Sequence, residues 1–179
     1  MSNVVIKIEN TLEREHVSIA DQIIKASKDV NVTNIILVIN SAGGDVDIIT
    51  PIWEAIKMSR KKIIAIGMID VSSTAASIFM MAEVRILLPN TLFLLHKASV
   101  VLEEKSYSLD ELSELVESAR DATRISWEPL IKYSKLTEKI LNHKCNGQDW
   151  ILTEDELISY GIVTEKYNTE KMAELLELV

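Results

Sequence analysis

The sequence predicts an α/β fold in which a mainly parallel sheet is joined by crossover helices. Three observations lead there. Strand-like and helix-like segments alternate through the first half of the chain, the pattern of successive βαβ units. Two of the strands, Asn34–Ile39 and Ile63–Ile66, are short uninterrupted apolar runs, as expected of strands covered on both faces. Neither repeats, linkers nor low-complexity tracts interrupt the pattern, so residues 1–179 are expected to form one domain.

The elements follow in order. Val4 to Ile8 alternates as a strand does, and Val17, Ile19, Ala20, Ile23, Ile24 and Ala26 then recur at helical spacing. The Asn34–Ile39 strand is expected to end in a turn at Ser41-Ala42-Gly43-Gly44. A helix from about Asp45 to Arg60 follows, with Pro51 expected to delay its start or kink it. After the Ile63–Ile66 strand, the small apolar stretch Ser72 to Met81 reads as helix, and Arg85–Leu88 and Leu92–Leu95 as two further strands around Pro89-Asn90. The second half is more polar. A long helix is expected from Ser108 to Ser134, with Leu109, Leu112, Leu115 and Val116 on one side and Pro129 bending or splitting it. Thr137–Asn142 reads as a short helix. Thr153-Glu154-Asp155-Glu156 is a capping box that opens another, closed by Gly161 in a left-handed cap. A last helix is expected over Glu170–Leu178.

Composition narrows the function classes. A domain of this length buries roughly 70% of the surface its unfolded chain exposes, so the core needs no covalent staple. Net charge is −8, from 19 basic and 27 acidic side chains, and a field of that sign repels nucleic acid. The single cysteine, Cys145, excludes an intrachain disulfide and a Cys-rich metal site. No 18-residue apolar stretch and no basic-then-apolar leader occur, so neither a membrane span nor secretion is expected, and the protein is expected to be cytoplasmic.

Few residues stand out for chemistry. Of the three histidines, His16 and His143 lie in polar surroundings, whereas His96 ends the apolar strand Leu92–Leu95, where a side chain reaches the mouth of a sheet. It reads either as a tolerated strand end or as an acid–base group. Gly43-Gly44 after a buried strand reads either as a plain turn or as backbone that brings amides close to an oxyanion. No phosphate-loop lysine accompanies it, and there is no G-x-G-x-x-G. Ser72-Ser73 opens a small-residue helix, which suits a cap as well as a nucleophile beside unpaired amides. Asp149 reads as a loop carboxylate or as the group that orients a catalytic histidine.

Together these pieces resemble the proteolytic subunit of Clp protease, a ClpP/crotonase-like fold. Ile39-Asn40-Ser41-Ala42-Gly43-Gly44 is similar to the family's I-N-S-P-G-G, and Leu88-Pro89-Asn90 with Leu94-Leu95-His96 to its L-P-N…M-I-H. Asp149-Trp150-Ile151-Leu152-Thr153 through Tyr160-Gly161-Ile162-Val163 is similar to its D-x-F-x-S/T…Y-G-L-V. The nucleophile segment, G-x-A-A-S in the family, reads Ile69-Asp70-Val71-Ser72-Ser73 here. Ungapped alignment back from Pro89 puts Ser73 on the nucleophile, with Ser72 and Ser77 as alternatives. Ile69 replaces the glycine, Ala42 the proline before Gly43, and Lys97-Ala98 a Gln-Pro.

The resemblance, over roughly residues 4 to 165, implies a serine endopeptidase. Ser73, His96 and Asp149 would form its triad, Gly43, Gly44 and Thr74 its oxyanion hole, and neither a metal nor an organic cofactor would be needed. It also implies a helical handle with a handle strand over Ser99–Ser106. Its substrates would be peptides or unfolded proteins, and its assembly homo-oligomeric: heptameric rings, two of them stacked in a tetradecamer, served by an ATP-dependent unfoldase. Three rivals remain at this level: a crotonase-type acyl-CoA enzyme, a catalytically inactive ring component, and a signal-peptide-peptidase-like enzyme.

Overall fold

The computed structural model describes residues 2–176. Its strands are β1 Ser2–Leu12, β2 Val32–Gly44, β3 Lys62–Ser72, β4 Val84–Leu87, β5 Leu92–Leu95 and β6 Trp150–Ile151. They form one sheet in the order β1-β2-β3-β5-β6, with β4 also on β3. Every pairing is parallel except β5 with β6. The helices are α1 Ser18–Lys28, α2 Ile49–Met58, α3 Thr74–Met80, α4 Leu109–Tyr133, α5 Glu138–Lys144, α6 Glu154–Ser159 and α7 Thr169–Leu175.

Period-two alternation sorts the central strands between two apolar clusters. Ile35, Leu37 and Ile39 of β2 and Ile63 and Ala65 of β3 face the main core with Ile19 and Ile23 of α1 and Ile52 and Ile56 of α2. Ile36, Ile64 and Ile66, with Val84 and Ile86 of β4, face the other way, where Met172 of α7 covers them. All seven residues of α3 are buried, so the helix that follows Ser73 is fixed on every side.

β3 is the organising strand. Its first half, Ile64–Gly67, pairs with β4, and its second, Asp70–Ser72, pairs with β5 along the same edge. Gly67 sits at the changeover, where a Cβ would meet Leu87 Cδ2 and lie 2.7 Å from Val71 Cγ2.

Several expectations are corrected. Ser41–Gly44 is not a separate turn: β2 continues through Gly44, carried by pairing with β1 as far as Leu12–Gly44 across a register shift. β3 likewise runs on to Ser72, so α3 begins only at Thr74. Pro51 delays α2, as expected: a 3-10 turn over Val46–Ile48 precedes it and Pro51 lies in its first turn, where an amide donor is not needed. Pro129 does not split α4, which is continuous over 25 residues; Trp127, Pro129 and Leu130 are buried there, and that packing outweighs the lost backbone bond. Within the single chain Ser99–Ser106 is not a strand; Val100 and Leu102 lie beside Leu112 and Leu115 of α4. The short β6 was not anticipated. The expected capping box at Thr153 with Glu156 forms, as does one at Ser108 with Glu111 that was not anticipated, and Gly161 has φ 72°. The end of the expected Glu170–Leu178 helix lies outside the described residues.

Arg85 joins three parts of the fold. Only 6% exposed, its guanidinium donates to the carbonyls of Ala82, Tyr133, Gly161 and Ile162 at 2.8–3.1 Å. Burial lowers its pKa.

Candidate active site

The sheet order explains how distant residues meet. β5 lies between β3 and β6. Its parallel register pairs Leu94 with Ser72, one residue before Ser73, and the Ser73 amide donates to Leu94 O at 2.9 Å. Its antiparallel register pairs Leu95 with Trp150. One more residue along that ladder sets His96 opposite Asp149. Serine, histidine and aspartate therefore stand side by side, each one residue beyond the end of one of three adjacent strands.

The Ser73 Oγ lies 2.6 Å from His96 Nε2, a short hydrogen bond. His96 Nδ1 and Asp149 Oδ1 are 3.8 Å apart, within ion-pair range but beyond a hydrogen bond. The Asp149 side chain is 64% exposed and that of His96 33%. The structure thus joins Ser73 to His96 and brings Asp149 near without bonding it.

Ser73 is the N-cap of α3 with φ 54° and ψ −123°, a conformation that L-residues adopt only at a cost of about 1–3 kcal/mol. Four residues earlier, Ile69 has φ 62°. This is the position where the related pattern carries glycine, so the backbone keeps the left-handed bend although a β-branched residue occupies it. The alternatives to Ser73 are engaged elsewhere. Ser72 is 4% exposed and its Oγ donates to the Asp70 carboxylate. Ser77 is fully buried and its Oγ donates to Ser126 O at 2.7 Å.

Gly43 and Gly44 press against this corner. A Cβ on Gly43 would lie 2.7 Å from both Ser72 O and Ser73 Cβ and 2.9 Å from Thr74 N; one on Gly44 would overlap Leu12 O. The Gly43 amide donates to Ser41 Oγ at 3.1 Å, which leaves the amides of Gly44 and Thr74 as the donor candidates. The buried Thr74 hydroxyl donates to Gly44 O at 2.9 Å and ties the two segments together. A cleft of about 490 Å³ opens over Ser73, His96 and Gly44, with the small side chains of Ala98, Ser99, Ala122 and Ser126 along it.

Helix α4 holds the histidine segment from behind. Trp127 Nε1 donates to His96 O at 3.2 Å, and the Ala98 amide donates to Thr123 Oγ1 at 3.0 Å. Sequence reasoning missed this face; Thr123, Ser126 and Trp127 stand at helical i, i+3, i+4 spacing in a polar helix, and the tryptophan among charges was the available signal. Cys145 is buried, its thiol pushed up by burial to about 11, so it is not a thiolate nucleophile at neutral pH. His143 is exposed, and His16 serves its own 3-10 turn, accepting from the Glu13 amide at 2.9 Å. Among the described residues no group of three or more His, Cys, Asp and Glu is placed to hold a metal ion, and no helix is long and apolar enough to cross a membrane.

The architecture is that of a ClpP-type α/β protein. A point mutant of ClpP1 from Listeria monocytogenes superimposes with a TM-score of 0.71, covering 93% of this chain and 92% of its own, at 23% identity. A family model described as Clp protease matches residues 1–169. The chain is also similar to the ATP-dependent Clp protease proteolytic subunit 2 of Pseudomonas aeruginosa, 31% identical over 140 residues, 76% of this chain and 67% of that one. The proteolytic subunit of Paracoccus denitrificans is 31% identical over 134 residues, 71% of this chain and 63% of that one. The chain belongs to the Clp protease family, and it spans about two thirds of the length of these curated relatives.

Proposed function

We propose that this chain is a serine endopeptidase whose reaction runs through Ser73, His96 and Asp149 in one domain spanning residues 1–179. The 2.6 Å contact between Ser73 Oγ and His96 Nε2 carries the reading. With the ring proton on Nδ1, Nε2 accepts the hydroxyl proton as Ser73 Oγ attacks a peptide carbonyl carbon. The oxyanion so formed lies against the amides of Gly44 and Thr74, each such donor contributing on the order of 100-fold or more in rate. Collapse expels the amine, protonated by His96, and water attacks the acyl-serine by the same route. Asp149 favours the imidazolium formed midway. The substrate is an extended peptide or unfolded segment lying in the cleft. The active form is a cytoplasmic homo-oligomeric ring, a heptamer or two stacked heptamers, fed by an ATP-dependent unfoldase. Family membership supports that assembly.

The test is intact-mass detection of a fluorophosphonate adduct. One adduct per chain is expected in the parent and in Ser72→Ala, and none in Ser73→Ala. An unlabelled parent in an assembled, folded sample would count against the enzyme. The 3.8 Å separation at Asp149 favours one second reading, a ring component that assembles without hydrolysing peptides, and the same experiment separates the two.

A further inference from the structure

The cleft beside Ser73 and His96 is walled by small side chains and hydrogen-bond acceptors. Ala98, Ser99, Ala122 and Ser126 line it along the histidine segment and α4, and Asp45 and Val46 line it where the chain leaves Gly44. Among the described residues lining the cleft, Asp45 is the only carboxylate, and neither lysine nor arginine is present.

Ser126 is 8% exposed and presents an acceptor. Ser77 has one hydroxyl proton and donates it to Ser126 O at 2.7 Å. The 3.0 Å contact between the two hydroxyl oxygens then has Ser126 as its donor. With that proton spent on Ser77, Ser126 Oγ has only lone pairs left for a ligand. Helix α3 sets its depth. Ser77 lies one turn beyond Ser73, its amide donating to Ser73 O at 3.2 Å, and four residues of helix rise about 6 Å.

Asp45 keeps its charge available. Its Oδ1 accepts from the Asp47 amide at 2.9 Å, and its Oδ2 lies 3.5 Å from Arg14 Nε. Arg14 makes its shorter bond, 2.7 Å, to Asp47 and is 81% exposed, so its hold on Asp45 is weak.

We propose that Asp45 and Ser126 select the substrate side chain on the acyl side of the scissile bond, and that lysine or arginine is preferred there. The inference rests on the peptidase reading. A basic side chain long enough to pass Ser73 carries its donors to the depth of these acceptors. A leucine would strip water from both and give neither a partner. The chain's net charge of −8 favours approach of cationic segments as well.

The test uses the full chain and fluorogenic tripeptide amides that differ only in the residue before the cleaved bond, with rates taken above the Ser73→Ala background. Lysine and arginine substrates are expected to exceed leucine in kcat/KM by about tenfold or more. Asp45→Asn preserves the acceptor for the Asp47 amide and removes only the charge. In that variant the lysine-to-leucine ratio is expected to fall by about tenfold, and in Ser126→Ala by about threefold. Leucine cleaved as well as lysine would overturn the inference, as would a ratio that Asp45→Asn leaves unchanged.

A second measurement needs no turnover. Tripeptides ending in lysine or in leucine are titrated calorimetrically against the parent and Asp45→Asn. The lysine peptide is expected to bind the parent about tenfold more tightly, with the advantage lost in the variant. A hydrolytically silent chain that shows this difference would sink the peptidase reading and keep the assignment of the pocket. An active chain that prefers leucine would do the reverse, and a silent chain that binds both peptides equally would overturn both.

Discussion

At Ile69 and Ser73, two residues four apart, the backbone sits at positive φ without glycine. The left-handed region costs an L-residue roughly 1–2 kcal/mol, and β-branching adds to it. Ile69 is 67% exposed, so its side chain recovers little of that by packing. Ile69→Gly is expected to stabilise the fold by up to about 1 kcal/mol, after the extra chain entropy of glycine is counted. Urea unfolding with an unchanged m-value measures it; a destabilised variant would mean that the isoleucine packs usefully. Asp149 presents the opposite case. An exposed carboxylate 3.8 Å from the ring holds it by at most about 1 kcal/mol. Asp149→Asn is therefore expected to lower peptide hydrolysis by about tenfold or less, against a loss on the order of 10⁴ or more for Ser73→Ala. A loss near that of Ser73→Ala in steady-state assays would mean that the working enzyme closes the gap.

Among the elements, those read correctly from sequence are the ones whose signals are local. The capping box at Thr153 is one: side chains three residues apart satisfy helix amides with no help from elsewhere. Burial pushes the Glu156 carboxyl up, but bonds from Thr153 and Lys144 outweigh it and the net pKa is lowered. A lowered folded-state pKa gives stability that is present above the ordinary carboxylate range, near about 4.3, and lost as pH falls through the lowered value. Melting temperatures below pH 4.5 are thus expected to fall more steeply in the parent than in Glu156→Gln, and parallel curves would refute the role. The misread boundaries share a cause of another kind. β2 passes through Gly43-Gly44, and β3 through Asp70 to Ser72, because β1 and β5 supply pairing partners there. Nothing within either segment encodes that edge. The same holds in reverse for Ser99–Ser106, which has no edge to join within its own chain. The juxtaposition of Ser73, His96 and Asp149 was legible because motif order survives in the chain; the α4 clamp on His96 was not, because Trp127 and His96 meet only through the tertiary fold.

For the molecule as a whole, Arg85 is the cross-brace. Its side chain links β4 to the ends of α4 and α6 through four carbonyls, and no carboxylate is among them. Arg85→Lys keeps the charge but not the fork that reaches several acceptors at once. It is expected to destabilise by at least about 3 kcal/mol, since several buried carbonyls lose their donor. Calorimetry measures the loss, and a change below 1 kcal/mol would show that water or repacking replaces the guanidinium.

The changeover at Gly67 has a wider consequence. One continuous strand supports the α7-covered patch with its first half and leads to Ser73 with its second. The two regions share an axle, and the pivot has no room for even a methyl group. Widening it would pry β4 and β5 away from β3 together, so damage at this one residue would be registered in both regions.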